Sequence, residues 1–265
     1  MQYVDVPGVR IAYERIGSGP PVVLLHGGLA DHREWAAAQL ELADEFTVIT
    51  WDAPGCGESA DAPEPFRMAD YADTLAALVK ALSIDRPCVV GLSFGATLAL
   101  ELAHRHPSLP RALVLASAYA GWAGSLAPDE VAERLASALD ALERSPIELT
   151  QSFVETLLSD GAPPAMVETL SAMTAEFRPL GARTMVRAMA ECDLRPALPT
   201  ISMPTLLLHG ELDVRSPLRA AEEMHAAIPG SSLTVLPGAG HQLNFEAADA
   251  FTAEVRAFLR SLPRG

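Results

Sequence analysis

Basic residues are scarce in this 265-residue chain, where 19 Lys and Arg face 34 Asp and Glu for a formal net charge of −15. Nucleic-acid binders neutralise phosphates with clustered Lys and Arg, and anionic membranes attract basic segments. No nucleic acid and no membrane is therefore expected among the partners. The acidity reads as a solvated surface that keeps the protein dispersed. Cysteine is also scarce. Cys56, Cys88 and Cys192 form no C-x-x-C, and an odd count leaves one thiol over in any disulfide scheme. Reduced thiols in a cytoplasmic protein are the simplest expectation. The start, Met1-Gln2-Tyr3-Val4-Asp5, lacks the basic and apolar regions of a secretory signal. The strand-like apolar runs are about six residues long, against about 20 for a membrane helix. No repeat is visible, and no spacing of His, Cys, Asp and Glu suggests a metal; no cofactor is expected.

What is present is a core. Apolar residues make up 49% of the chain, and this length buries a substantial interior without staples. Six short runs stand out: Pro21–His26, Phe46–Trp51, Pro87–Gly91, Arg111–Ala116, Pro204–His209 and Ser232–Leu236. They show no polar alternation, which suits strands covered on both faces of a parallel sheet. Amphipathic stretches lie between them. Asp70–Leu82 places Tyr71, Leu75, Leu78 and Leu82 at helical spacing, and Asn244–Leu262 reads as one helix. Alternating strand and helix signals predict an α/β fold with a mostly parallel, doubly wound sheet. Tyr3–Val6 and Val9–Ile16, around Pro7-Gly8, read as an antiparallel hairpin added to it. From Trp122 to Pro199 the pattern is helical only, interrupted by Pro128, Pro146, Pro163-Pro164 and Pro179. An all-helical insertion between strands cannot join the sheet, so it is expected to cover one end as a cap. The organisation is then core 1–121, cap 122–199 and core 200–265.

The strongest chemical signal is Gly91-Leu92-Ser93-Phe94-Gly95. This G-x-S-x-G follows the run Cys88-Val89-Val90 and opens the helical stretch Ala96–His104, the strand–turn–helix setting of a nucleophile elbow. A hydroxyl needs a base. Of seven histidines, His241 follows the flexible Pro237-Gly238-Ala239-Gly240 loop after the last strand run. From the carboxyl edge of the sheet, that loop can bring the imidazole over Ser93. Asp213, in His209-Gly210-Glu211-Leu212-Asp213, lies at the same edge and can orient the imidazole; Glu211 is the rival acid. Oxyanion donors are expected from the N–H of Phe94 and from His26-Gly27-Gly28-Leu29, with Gly28 preferred and Leu29 the alternative. His26 is expected to fix that loop.

On these residues, together with Asp52-Ala53-Pro54-Gly55-Cys56-Gly57-Glu58-Ser59 and Gly210-Glu211-Leu212-Asp213, the chain resembles the capped α/β-hydrolase superfamily. Within it, the chain resembles the serine esterase and lactonase branch that includes 3-oxoadipate enol-lactonases. The order Ser, Asp, His is that of the superfamily. Members commonly carry His at the position of Cys56, so a thiol close to the site is one consequence. The resemblance implies catalytic Ser93, Asp213 and His241 acting on a small or medium ester or lactone through an acyl-enzyme. Ser93 argues against the dehalogenases and epoxide hydrolases of this fold, which use Asp. Carbon–carbon hydrolysis, thioester hydrolysis and perhydrolysis use the same triad and stay open, as does a ligand-binding receptor on a hydrolase fold.

Leu29, Phe94, Trp35, Trp122, Met166, Met173, Met185 and Met189 are candidates for an apolar substrate pocket. Trp122 is favoured because it stands where the chain leaves the sheet for the insertion. An acidic lactone would need a cation nearby. Arg178, Arg183 and Arg187 lie in the insertion, but a solvated role is expected for each, so no anionic substrate is inferred.

Overall fold

Each of the six apolar runs forms a strand in the computed structural model, which describes residues 1–143, 150 and 153–263. They are β3 (Pro21–Leu25), β4 (Thr47–Trp51), β5 (Cys88–Leu92), β6 (Ala112–Ala116), β7 (Thr205–Gly210) and β8 (Ser232–Leu236). All six are parallel. The expected hairpin, β1 (Gln2–Val6) and β2 (Val9–Ile16), turns through Pro7-Gly8 and pairs antiparallel with β4. The sheet order is β1-β2-β4-β3-β5-β6-β7-β8. Strands β4 to β7 are buried throughout, whereas the edge strand β8 is largely open.

Successive side chains on a strand point to opposite faces, and the core divides accordingly. Val23, Leu25, Ile49 and Val89 face a layer containing α2 (Met68–Ala81) and α3 (Phe94–Arg105). Val22, Leu24, Val48 and Val90 face Leu42 of α1 (Ala36–Leu42) and the C-terminal helix. In α2 three members of the expected stripe are buried, with Tyr71, Leu75 and Leu78 at no more than 1% exposure, while Leu82 caps the helix and is only partly buried. Burying each such side chain contributes roughly 1.5–3 kcal/mol.

Between β6 and β7 the described residues form α4 (Pro128–Leu142), α5 (Pro164–Ala175) and α6 (Pro179–Glu191), and no strand. Pro128, Pro164 and Pro179 start these helices instead of breaking them. At the first helical position the missing N–H has no partner to lose and the fixed φ is already helical. Pro146 lies outside the described residues. Helix α4 packs on α6. After β7 come α7 (Leu218–Ala227), α8 (Leu243–Glu246) and α9 (Ala248–Ser261).

The single helix expected over Asn244–Leu262 is in fact α8 and α9, separated at Ala247 (φ −128°, ψ 45°). The carboxylate of Glu246 accepts from the N–H of Gly240 and of Ser159, which holds α8 against the preceding loop. Trp35 also departs from expectation. It ends a 3-10 turn, His32–Trp35, and is fully buried against Phe251 of α9 with ring centroids 5.8 Å apart. No described helix is long and apolar enough to cross a membrane.

Candidate active site

Strand β5 ends at Leu92 and α3 begins at Phe94, so the whole reversal happens at Ser93. Its backbone has φ +52° and ψ −107°, a conformation costly for a non-glycine residue. The flanking glycines are a steric requirement. A Cβ on Gly91 would sit 2.2 Å from the carbonyl oxygen of Gly95, and one on Gly95 would sit 2.1 Å from that of Leu25. The strain is held by neighbours, since Ser93 N–H donates to Ala116 O at 2.9 Å. Helix α3 points its N-terminus at the space beside Ser93, where the helix dipole favours negative charge, and the N–H of Phe94 finds no acceptor among the described residues.

His241 lies in the loop between β8 and α8, 2% exposed. Its Nδ1 is 2.8 Å from Asp213 Oδ2. The other carboxylate oxygen of Asp213 accepts from the N–H of Arg215 (2.9 Å) and of Ser216 (2.8 Å). Burial alone would push the Asp213 carboxyl up; the charge and hydrogen bond of His241 outweigh it and hold the group below the usual carboxylate range. An ionised Asp213 can only accept, so Nδ1 carries the proton and Nε2 is the basic nitrogen. Nε2 is buried, makes no hydrogen bond among the described residues and belongs to a cavity wall that also includes Ser93. Ser117 Oγ fixes the loop by donating to His241 O at 2.9 Å. Glu211, the rival acid, accepts from Gly238 N–H at an exposed position and does not reach His241.

The opposite wall is the loop after β3. His26 Nε2 accepts from Ala53 N–H at 3.0 Å, so its Nδ1 donates to Gly27 O at 2.7 Å. Burial lowers the His26 pKa, which keeps the ring neutral in that role. Gly27 N–H donates to Glu34 Oε2 at 2.7 Å. The N–H groups of Gly28 and Leu29 find no acceptor among the described residues. Both residues line the cavity, and Leu29 has φ +59°. With Phe94, either amide completes a two-donor site for a developing oxyanion.

Sequence reasoning missed Glu34. It is buried, and its Oε1 accepts from Gln242 Nε2 at 3.0 Å. It therefore ties the Gly27 loop to the residue next to His241. Burial pushes its pKa up to about 7, against the pull of the Gly27 and Gln242 hydrogen bonds.

The cavity measures about 280 Å³, near the lower end for small-molecule sites. Leu29, Phe94, Trp122, Met185 and Met189 line it. Trp35 does not, and Met166 and Met173 pack elsewhere, in a small cluster with Val154 and Leu170. Two cations in the wall, Arg134 and Arg215, were not singled out from sequence. The arginines that were singled out lie elsewhere. Arg178 pairs with Asp61, Arg183 with Glu143, and Arg187 sits in a surface groove beside Glu191. Cys56 is buried in the main core and absent from this wall, and burial drives its thiol pKa well up, so it is no reactive neighbour of Ser93.

Asp31, His32 and Asp52 bring their ligand atoms within 4.8 Å of one another. Most of the acceptor capacity of the two carboxylates is already used. Asp52 accepts from His32 Nδ1 and from the N–H of His32 and Glu58, while Asp31 takes the Arg33 guanidinium. These bonds fold the Asp52–Ser59 loop under the site.

Three comparisons agree with this architecture. An esterase from Thermogutta terrifontis, solved with malate bound, superposes with a TM-score of 0.91 at 31% identity and 99% coverage of both chains. An enol-lactonase from Burkholderia xenovorans does so with a TM-score of 0.90 at 25% identity, covering 98% of this chain and 100% of the other. A serine hydrolase of Mus musculus is 28% identical over 264 residues, 97% of this chain and 85% of its own. The family model for the alpha/beta hydrolase fold matches residues 20–248, and the chain belongs to that family.

Proposed function

We propose that this protein is a serine hydrolase that cleaves a small or medium carboxylic ester or lactone. The observation that carries the reading is convergence. Ser93, the unpaired Nε2 of an Asp213-bound His241, and the unpaired amide side of Gly28 and Phe94 all meet in one cavity. The esterase and enol-lactonase neighbours support ester and lactone as the bond classes.

Ser93 Oγ attacks the carbonyl carbon as its proton passes to His241 Nε2. The oxyanion takes N–H bonds from Phe94 and Gly28. Asp213 stabilises the charged imidazole, which then protonates the departing alkoxide and leaves an acyl-Ser93. Water, deprotonated by Nε2, attacks the acyl carbon; the acid leaves and Ser93 regains its proton. Residues 122–199 act as the cap that shapes the substrate space, since α4 and α6 supply Ala138, Ala141, Leu142 and Met185 to the wall. The three free, buried thiols support a reducing compartment such as the cytoplasm.

The test is turnover of p-nitrophenyl esters of rising acyl length and of a lactone panel, with Ser93→Ala alongside. Loss of roughly a thousandfold or more in kcat is expected in the variant. Equal rates in both proteins would refute the assignment of Ser93. A single stoichiometric burst without further turnover would indicate a receptor that is slowly acylated.

A further inference from the structure

The cavity wall carries charge that the acyl chemistry does not use. Helix α4 presents Arg134, Ser137, Ala138, Ala141 and Leu142 to it, one face at helical spacing. Arg134 and Leu142 are eight residues apart, about 12 Å along the axis. At the Leu142 end the neighbours are Leu29 and Ala182. At the Arg134 end they are Tyr119, Trp122 and Arg215. The cavity therefore has an apolar end and a cationic end.

The cationic end is poorly neutralised. Arg134 donates to the hydroxyl of Tyr119 at 2.8 Å and stands 5.4 Å over the Trp122 ring. Its carboxylate partner, Glu130, is 3.4 Å away and has a side chain 47% exposed. Arg215 is partly buried, stacked on Phe153 at 4.6 Å, and among the described residues donates one side-chain hydrogen bond, to Thr156 Oγ1 at 3.0 Å. It has no ion pair among the described residues. Desolvation pushes its pKa down, yet a guanidinium stays charged in proteins and offers five donors. No Asp or Glu stands among the described residues of the wall, although acids outnumber bases 34 to 19 in the chain. Asp213 attracts Arg215 through its charge but makes no ion pair with it, and a partly desolvated cation without a direct counter-ion is costly unless a ligand supplies one. Arginine's planar fork fits a carboxylate in bidentate fashion.

We propose that Arg134 and Arg215 form a carboxylate subsite, so that the preferred substrate is an ester or lactone bearing a second, ionised carboxyl group. This deepens the serine-hydrolase reading and rests on it. Arg215 follows Asp213 by two residues and donates its own N–H to that carboxylate, which places the subsite beside the reacting centre. The apolar end takes the uncharged part of the molecule.

The test compares kcat/KM for mono-p-nitrophenyl glutarate and adipate with that for length-matched neutral p-nitrophenyl alkanoates. A second arm compares 4-carboxyphenyl butyrate with phenyl butyrate, which moves the charge to the leaving group. In wild type, one charged series is expected to exceed its neutral match by about tenfold or more, mainly through KM. In Arg134→Met and Arg215→Met that ratio falls to near one, and Arg215→Lys restores part of it. Because the ratio is read within each protein, a loss of folded material cancels. Equal ratios in wild type and both Met variants, or a preference for the neutral member in both arms, would overturn the subsite. Turnover of no ester at all would instead sink the hydrolase reading. The subsite is then decided by calorimetric titration of Ser93→Ala with monomethyl glutarate and with neutral methyl valerate: selective binding of the acid supports it, and equal or absent binding overturns it.

Discussion

Glu34 shows how a residue acquires a role that its neighbours in sequence do not announce. Its partners Gly27 and Gln242 are 7 and 208 positions away. Burial raises its pKa from 4.5 to about 7, so the folded state prefers the protonated form. The sign follows from linkage. The favourable contribution is fully present below about pH 4.5 and is lost as pH rises through about 7, a change of about 3 kcal/mol for that shift. Glu34→Gln cannot ionise and keeps a carbonyl acceptor for Gly27 N–H. Its new amide replaces the acceptor of Gln242 Nε2, and a flip of the Gln242 amide lets it donate instead to Gln242 Oε1, which is buried without a partner in the wild type. The excess stability of Glu34→Gln in thermal unfolding should therefore be small near pH 5, about 1 kcal/mol or less, and larger at pH 8. An identical pH 5 to pH 8 difference in the two proteins would show that Glu34 does not titrate in this window. Ser93, His241 and Asp213 could be chosen as candidates from sequence because each follows a strand run in a Gly-rich loop. Glu34, Arg134 and Arg215 could not, because their meaning is created by partners brought from elsewhere in the chain.

The strands were the most legible elements: β4 to β7, buried throughout, leave an apolar signature that no helix boundary shares, and the largely open edge strand β8 still carries an apolar run. Helix ends depend on single contacts, and there the reading failed. Nothing in Asn244–Leu262 announces the break at Ala247, which Glu246 enforces through Gly240 and Ser159. Helix α1 was overlooked because it has only seven residues. Helix α4 was legible as a helix but not as a wall, since Leu142 is its one buried residue and the middle of its cavity face, Ser137, Ala138 and Ala141, is made of small side chains. That smallness has a consequence for specificity. Ala141 lines the apolar end of a cavity of about 280 Å³, and a larger side chain there subtracts space where a long acyl chain would lie. Ala141→Phe is expected to lower kcat/KM for p-nitrophenyl octanoate about tenfold more than for the acetate. Overpacking costs about 1–3 kcal/mol in stability, so folding is checked by thermal unfolding. If acetate and octanoate fell equally, the acyl chain would not run along α4.

At the scale of the whole molecule, the parallel sheet sets the site. Ser93, Asp213 and His241 follow β5, β7 and β8, and such loops gather at one edge, where α/β sheets place their ligands. The sum of charge was readable from composition, but its distribution was not: a chain of net charge −15 encloses a cavity walled by two arginines and no described acid. The two scales act oppositely on an anionic substrate. At long range the molecule repels it, by on the order of 1 kcal/mol near 0.01 M ionic strength, where the Debye length is about 30 Å. At 0.15 M that length is about 8 Å and most of the repulsion is gone. The contact with Arg134 and Arg215 is made inside the wall and is screened much less. For mono-p-nitrophenyl glutarate, kcat/KM should therefore rise about threefold from about 0.01 to 0.15 M salt. For a neutral ester it should stay flat. A steep fall with salt for the charged ester would mean that attraction at the cavity mouth outweighs the net charge during approach. An equal rise for both esters would show that salt acts on the fold and not on the encounter.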